Sequence, residues 1–235
     1  MFSRLFIAAV LAGIVAGIVL ATVQHFRTTP LILAAEVYEE ADAAKAAQKT
    51  GSEAAAATKA PEAKQEWEPK NGFERTAWSA LAGIIVGIGL AMLLAGASLL
   101  SGIEITPQNG ALWGLVAFAV FTLLPAAGLP PEPPGMPVAD LTARQIWWTF
   151  TVLAGAGGVA LIALVKKPWS AIAGVALIAL PHLIGAPEAG EHHTSIPPHL
   201  VQSYVANSLF LMAIAWVTVG AALGLTMKNL QPQDA

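Results

Sequence analysis

Between Ala77 and Leu100 the chain runs without a single charged residue, through "ALAGIIVGIGLAMLLAGASLL". Such a run has few options. The hydrocarbon core of a bilayer is about 30 Å thick, and a helix rising about 1.5 Å per residue crosses it in about 20 apolar residues. Six segments of this kind are read from the sequence: Leu5 to Gln24, Ala77 to Leu100, Ala111 to Ala127, Ile146 to Val165, Ser170 to Pro187 and Val201 to Met227. The third and fifth are short, and the fifth contains Pro181. Five full spans plus one irregular, kinked segment is therefore the alternative count. The expected fold is all-α, a polytopic integral membrane helix bundle with six hydrophobic segments.

Composition agrees. Hydrophobic residues make up 56% of the chain and charged residues only 11%, where a soluble domain carries about a quarter. There is no cysteine, so disulfides, thiolate metal sites and thiol chemistry are excluded. A metal site must draw on His, Asp, Glu, Met, amide or backbone ligands. A net charge of −3 gives no argument for nucleic-acid binding.

Four regions are expected: a first membrane helix over 1–27, an extramembrane loop with a low-complexity tether over 28–76, a helix bundle over 77–228, and a tail over 229–235. Arg4 ahead of an apolar run, with Val19-Leu20-Ala21 after it, also fits a secretory signal. The run is long enough to span, so a retained helix is expected. With the N-terminus inside, the inner flanks hold Arg4, Lys166, Lys167 and Lys228, against Arg27, Arg75 and Arg144 outside. That asymmetry predicts cytoplasmic termini, in a bacterial-type plasma (inner) membrane. Trp78, Trp113, Trp147, Trp148 and Trp169 fall near span ends, where an amphipathic ring suits the interface. Trp216 lies mid-span and is read as packing.

The tether "ADAAKAAQKTGSEAAAATKAPEAK" contains good helix formers but almost no large apolar side chain. It is read as solvated, with helical patches. Its flanks "LILAAEVYEEA" and "EWEPKNGFERTAW" carry aromatics and charges and are expected to dock near the membrane surface. Gly-x-x-x-Gly occurs at Gly13/Gly17, Gly83/Gly87 and Gly220/Gly224. Such pairs let helix backbones approach closely, either within the chain or against a second subunit. The loop from Gly128 to Asp140 has five prolines around Glu132. It reads as a rigid cap, or as a mount for a carboxylate in an outer vestibule.

Four of the five histidines sit in "PHLIGAPEAGEHHTSIPPH". His182 follows Pro181 inside an apolar run, where an ionisable group usually faces protein or a wet cavity. Pro181 leaves the Leu177 carbonyl without its helical donor. A free carbonyl beside an imidazole makes a cation stop, and the plain alternative is a neutral histidine bonded to a neighbouring helix. Glu188, Glu191, His192, His193 and His199 follow within twelve residues. Imidazole with carboxylate suits divalent zinc, nickel, cobalt or iron, though adjacent His192 and His193 point apart. The plain alternative there is a solvated polar loop. His199, Ser203 and Asn207 stand four residues apart, on one helical stripe, lining a route or bonding across a helix interface. The acidic "VYEEAD" reads equally as surface solvation. No phosphate-binding glycine loop occurs, and no nucleophile stands beside a base, so no enzyme is expected.

The pieces "AEVYEE", "EWEPKNGFERT", "GLPPEPPGMPVADLTARQIWW", "LPHLIGAP" and "IPPHLVQSYVANSLF" together resemble the CbtA family, described as a probable cobalt transporter subunit. The resemblance implies a small membrane protein of five spans, linked to cobalt supply for cobalamin. It also implies a partner, a small single-span membrane subunit with a His-rich end. The expected function is transport of a divalent transition-metal cation, Co²⁺ first, with Ni²⁺ or Zn²⁺ as alternatives and no covalent cofactor. Metal-handling positions are expected at Glu132, His182, Glu188, Glu191, His192, His193 and His199. The competing reading is a non-transporting accessory subunit of a larger membrane complex.

Overall fold

The structure, a computed structural model, describes residues 2–53, 69–190 and 194–230. Among these residues the chain is helical, without strands. We number the helices α1 (Phe2–Arg27), α2 (Thr29–Glu53), α3 (Phe73–Ser101), α4 (Gly110–Ala126), α5 (Leu141–Val165), α6 (Pro168–Ile184) and α7 (Pro198–Asn229). Helices α1, α3, α5 and α7 are long and apolar enough to cross a membrane, while α4 and α6 are shorter apolar helices. The fifth apolar run stops at Ile184, ahead of Pro187. Gly185 takes φ +92° there and donates its N–H to the Pro181 carbonyl at 3.1 Å. Only glycine enters that backbone region without strain.

Close backbone approach builds the bundle. Gly13 and Gly17 of α1 lie against the backbone of Ile88 and Ile84, beside Gly87 and Gly83 of α3. Gly110 and Gly114 of α4 lie against Gly220 and Trp216 of α7, and Gly224 against Thr106. Side chains at these positions would collide with backbone, so all three Gly-x-x-x-Gly pairs serve packing within the chain. The core between α1, α3, α4 and α7 follows from this. It is made of Ala8, Ala12, Ala16, Ala91 and Ala95, filled out by Leu94, Trp216, Val219 and Leu223. Trp216 stacks on Phe121, and its indole N–H donates to Thr122 Oγ1 at 3.2 Å. Leu20, inside α1, packs on Leu211 and Ala215.

Helices α5 and α6 form a second antiparallel pair, closed where Gly158 meets Gly174 and Ile178. Gly155 receives the Leu124 side chain of α4 and ties this pair to the core. Outward positions remain large and apolar, Ile85, Leu112, Leu153, Ile172 and Leu183 among them, as expected where lipid is the solvent. The antiparallel order brings the C-termini of α1, α4 and α6 and the N-termini of α3, α5 and α7 to one end. Arg4, Lys166, Lys167 and Lys228 gather at the other.

Helix α2 covers the flank expected to dock and the first part of the tether, whose remainder from 54 onward lies outside the described residues. It is one unbroken helix from Thr29 to Glu53, starting directly after Thr28. The stripe Leu31, Ala35 and Tyr38 packs on Met136, Ile196, Leu200 and Val201. Glu36 receives two hydrogen bonds from Arg75, at 2.5 and 3.0 Å. Asp42 accepts from the Ser195 hydroxyl and N–H at 2.5 and 3.2 Å. Good helix propensity accounts for the helix itself; the apolar stripe accounts for where it lies.

Candidate functional site

Where α4 and α6 end and α5 begins, a cavity of about 450 Å³ is lined by Gly128, Glu132, Trp147, His182, Ala186 and Glu188, among others. Three of the sequence-predicted residues thus share one space, although Glu132 lies on a stretch of chain separate from His182 and Glu188.

Each is placed by local chemistry. Glu132 sits in the proline loop. Prolines remove backbone donors and fix φ there, and Asp140 closes the loop by capping α5, its Oδ1 accepting from Ala143 N–H at 2.9 Å. Gly135 turns the loop at φ +80°, against Glu39 of α2. The Glu132 carboxylate meets Arg144, Nη2 to Oε2, at 3.0 Å. His182 stands on the last turn of α6, held by the buried Pro181 before it. The Trp147 indole donates to the Pro181 carbonyl at 3.3 Å and presents its ring to His182, with centroids 5.8 Å apart at 73°. The Pro181 carbonyl thus accepts from both the Trp147 indole and the Gly185 N–H. His182 Nε2 is buried without a hydrogen-bond partner. A buried nitrogen of this kind normally finds a partner, so it is the polar atom here that still has bonding capacity to offer. Glu188 is exposed at the cavity margin.

The remaining predicted residues fall elsewhere. His199 is exposed on the first turn of α7. Asn207 Nδ2 donates to the Ser203 carbonyl at 2.8 Å, so the amide is bonded within its own helix. Glu191, His192 and His193 lie outside the described residues. Among the described residues no three His, Asp or Glu side chains converge to hold an ion. Glu132, His182 and Glu188 line a common space without forming a chelating cage.

Sequence reasoning missed two residues here. Trp147 was expected at the membrane interface, yet it is only 6% exposed. The adjacent pair Trp147-Trp148 held the signal, because neighbours on a helix diverge by about 100° and cannot share one environment. Arg144 was counted only as a flanking charge, though it stands three residues before Trp147, on the same helical face.

The profile of a family described as "Probable cobalt transporter subunit (CbtA)" matches residues 2–228, nearly the whole chain. The chain belongs to the CbtA family. No curated protein and no solved structure matches it. The CbtA match spans every helix described above, α2 and both cavity-lining loops included. It makes the chain a member of a transporter-subunit family, in keeping with its apolar, membrane-length helices.

Proposed function

We propose that this chain is the membrane transport subunit for a divalent transition-metal cation, Co²⁺ before Ni²⁺ or Zn²⁺, taken up to supply cobalamin synthesis. One observation carries the reading: His182, whose buried Nε2 has no hydrogen-bond partner, lines a cavity together with Glu132 and Glu188. Imidazole and carboxylate suit such ions. Their loose arrangement suits passage, because a conducting site must bind well enough to admit an ion and weakly enough to release it. The cavity acts as a vestibule with His182 at its inner end. Glu191, His192 and His193 serve in ion capture, and His199 stands at the entrance. The lysine-bearing end faces the cytoplasm, with both termini, because Arg4, Lys166, Lys167 and Lys228 are gathered there. A small single-span subunit with a His-rich end is the partner.

The test is radiolabelled Co²⁺ uptake into cells lacking other cobalt importers. The intact chain is compared with His182→Ala, with and without the small partner, at equal membrane levels. Uptake that depends on His182 is expected. Uptake indifferent to His182 would overturn the pathway. No uptake under any condition would favour a non-transporting accessory subunit, for which stable co-purification with a large partner and no bound metal is the expected result.

A further inference from the structure

Arg144 reaches Glu132 from outside the cavity. Glu132 is among the lining residues and Arg144 is not, yet their side chains meet at 3.0 Å with 29% and 21% of their surface exposed. The loop they bridge has other fastenings. It holds five prolines, the Asp140 cap and the contact of Gly135 with Glu39. The pair thus adds, to a loop already fastened, a permanent cation on a carboxylate that lines the cavity.

We propose that Arg144 is a tethered counter-cation for the vestibule. It occupies Glu132 while the cavity is empty and yields the carboxylate to an arriving divalent ion. This rests on the reading of the cavity as a cation vestibule and deepens it by naming what sets affinity and selectivity there. A guanidinium is always charged, so it competes for Glu132 as a permanent internal cation. A monovalent ion that displaces it brings no more charge than it removes, so exchange gains nothing. A divalent ion brings twice the charge to Glu132 and Glu188 and wins the exchange. The returning guanidinium then helps release the ion inward. Arg144 is thus a specificity-determining residue that selects by valence and keeps binding reversible.

The experiment titrates the purified full chain in lipid nanodiscs with Co²⁺ alone, then with Co²⁺ in excess Na⁺, using Arg144→Gln, Arg144→Lys, His182→Ala and the intact protein. Arg144→Gln is expected to bind Co²⁺ more tightly, by several-fold to about tenfold, and to lose that gain in excess Na⁺. Arg144→Lys, which keeps the charge but not the fork, is expected to fall between. Unchanged or weaker Co²⁺ binding by a folded Arg144→Gln overturns the proposal. Should the glutamine variant fail to fold, binding by Arg144→Lys no tighter than that of the intact chain overturns it instead. If the intact chain binds Co²⁺ through His182 but the arginine variants bind no tighter, only the counter-cation role fails. If neither the intact chain nor any variant binds Co²⁺, the vestibule reading fails and takes this proposal with it.

Discussion

The indole nitrogen of Trp147 donates to the carbonyl of Pro181, the residue immediately before His182, at 3.3 Å. One side chain therefore fixes both the end of α6 and the setting of the imidazole. Trp147→Phe keeps a ring and removes the donor. A loss of about 0.5–1.5 kcal/mol is expected, read as a lowered thermal midpoint in detergent, together with reduced Co²⁺ uptake. Full uptake by this variant would show that the cavity does not need a fixed His182.

Glycines divide sharply by what surrounds them. Gly17→Val places a side chain on the Ile84 backbone, where overpacking costs about 1–3 kcal/mol or more. Little folded protein is expected on size-exclusion chromatography. Gly89→Ala and Gly96→Ala meet nothing within 4 Å and are expected to chromatograph like the parent. Equal behaviour of all three would refute the proposed α1–α3 contact.

The Glu36–Arg75 pair holds α2 beside the start of α3 through two bonds. Arg75→Lys loses the fork geometry, and Glu36→Gln loses the charge. Each is expected to weaken α2 docking by about 1 kcal/mol or less, seen as faster amide exchange over α2. The reversed pair, Glu36→Arg with Arg75→Glu, is expected to recover part of that protection. No recovery would assign the single-variant effects to something other than the ion pair.

Asp42 is held below the ordinary aspartate range, first by the Ser195 hydroxyl and then by the Ser195 N–H, with burial opposing and Lys45 adding a smaller contribution. Its folded pKa lies below its unfolded value. The stabilising contribution is therefore complete above the unfolded aspartate pKa, about 3.9, and disappears as pH falls through the folded value. Amide protection over α2, corrected for the intrinsic slowing of exchange in acid, is expected to fall on acidification below that range, and less so in Ser195→Ala. An equal acid response in both proteins would exclude Asp42 as the group responsible.

The apolar helices were legible because a membrane imposes length and composition together. Even the shortness of α4 and α6 could be read directly. Helix α2 was half legible. Its Ala, Glu and Lys content pointed to helix and its first part was expected to dock, but the partners of Leu31, Ala35 and Tyr38, namely Met136, Ile196 and Leu200, come from distant stretches. At the site, the types of Glu132, His182 and Glu188 were informative, whereas the meeting of Glu132 with the His182–Glu188 stretch in one cavity depends on tertiary placement. Helical spacing put His199, Ser203 and Asn207 on one stripe. Spacing cannot say what a stripe faces, and Asn207 turned out to bond its own helix.

The loop that carries Glu132 is fastened to α2. Gly135 and Met136 anchor the Glu132 loop on Glu39 and the Ala35–Tyr38 stripe. Ser195 and Ile196, just ahead of α7, rest on Asp42 and Ala35. In mechanical terms α2 is a handle on the wall that carries Glu132: a displacement of α2 pulls directly on that loop and on the carboxylate it brings to the cavity.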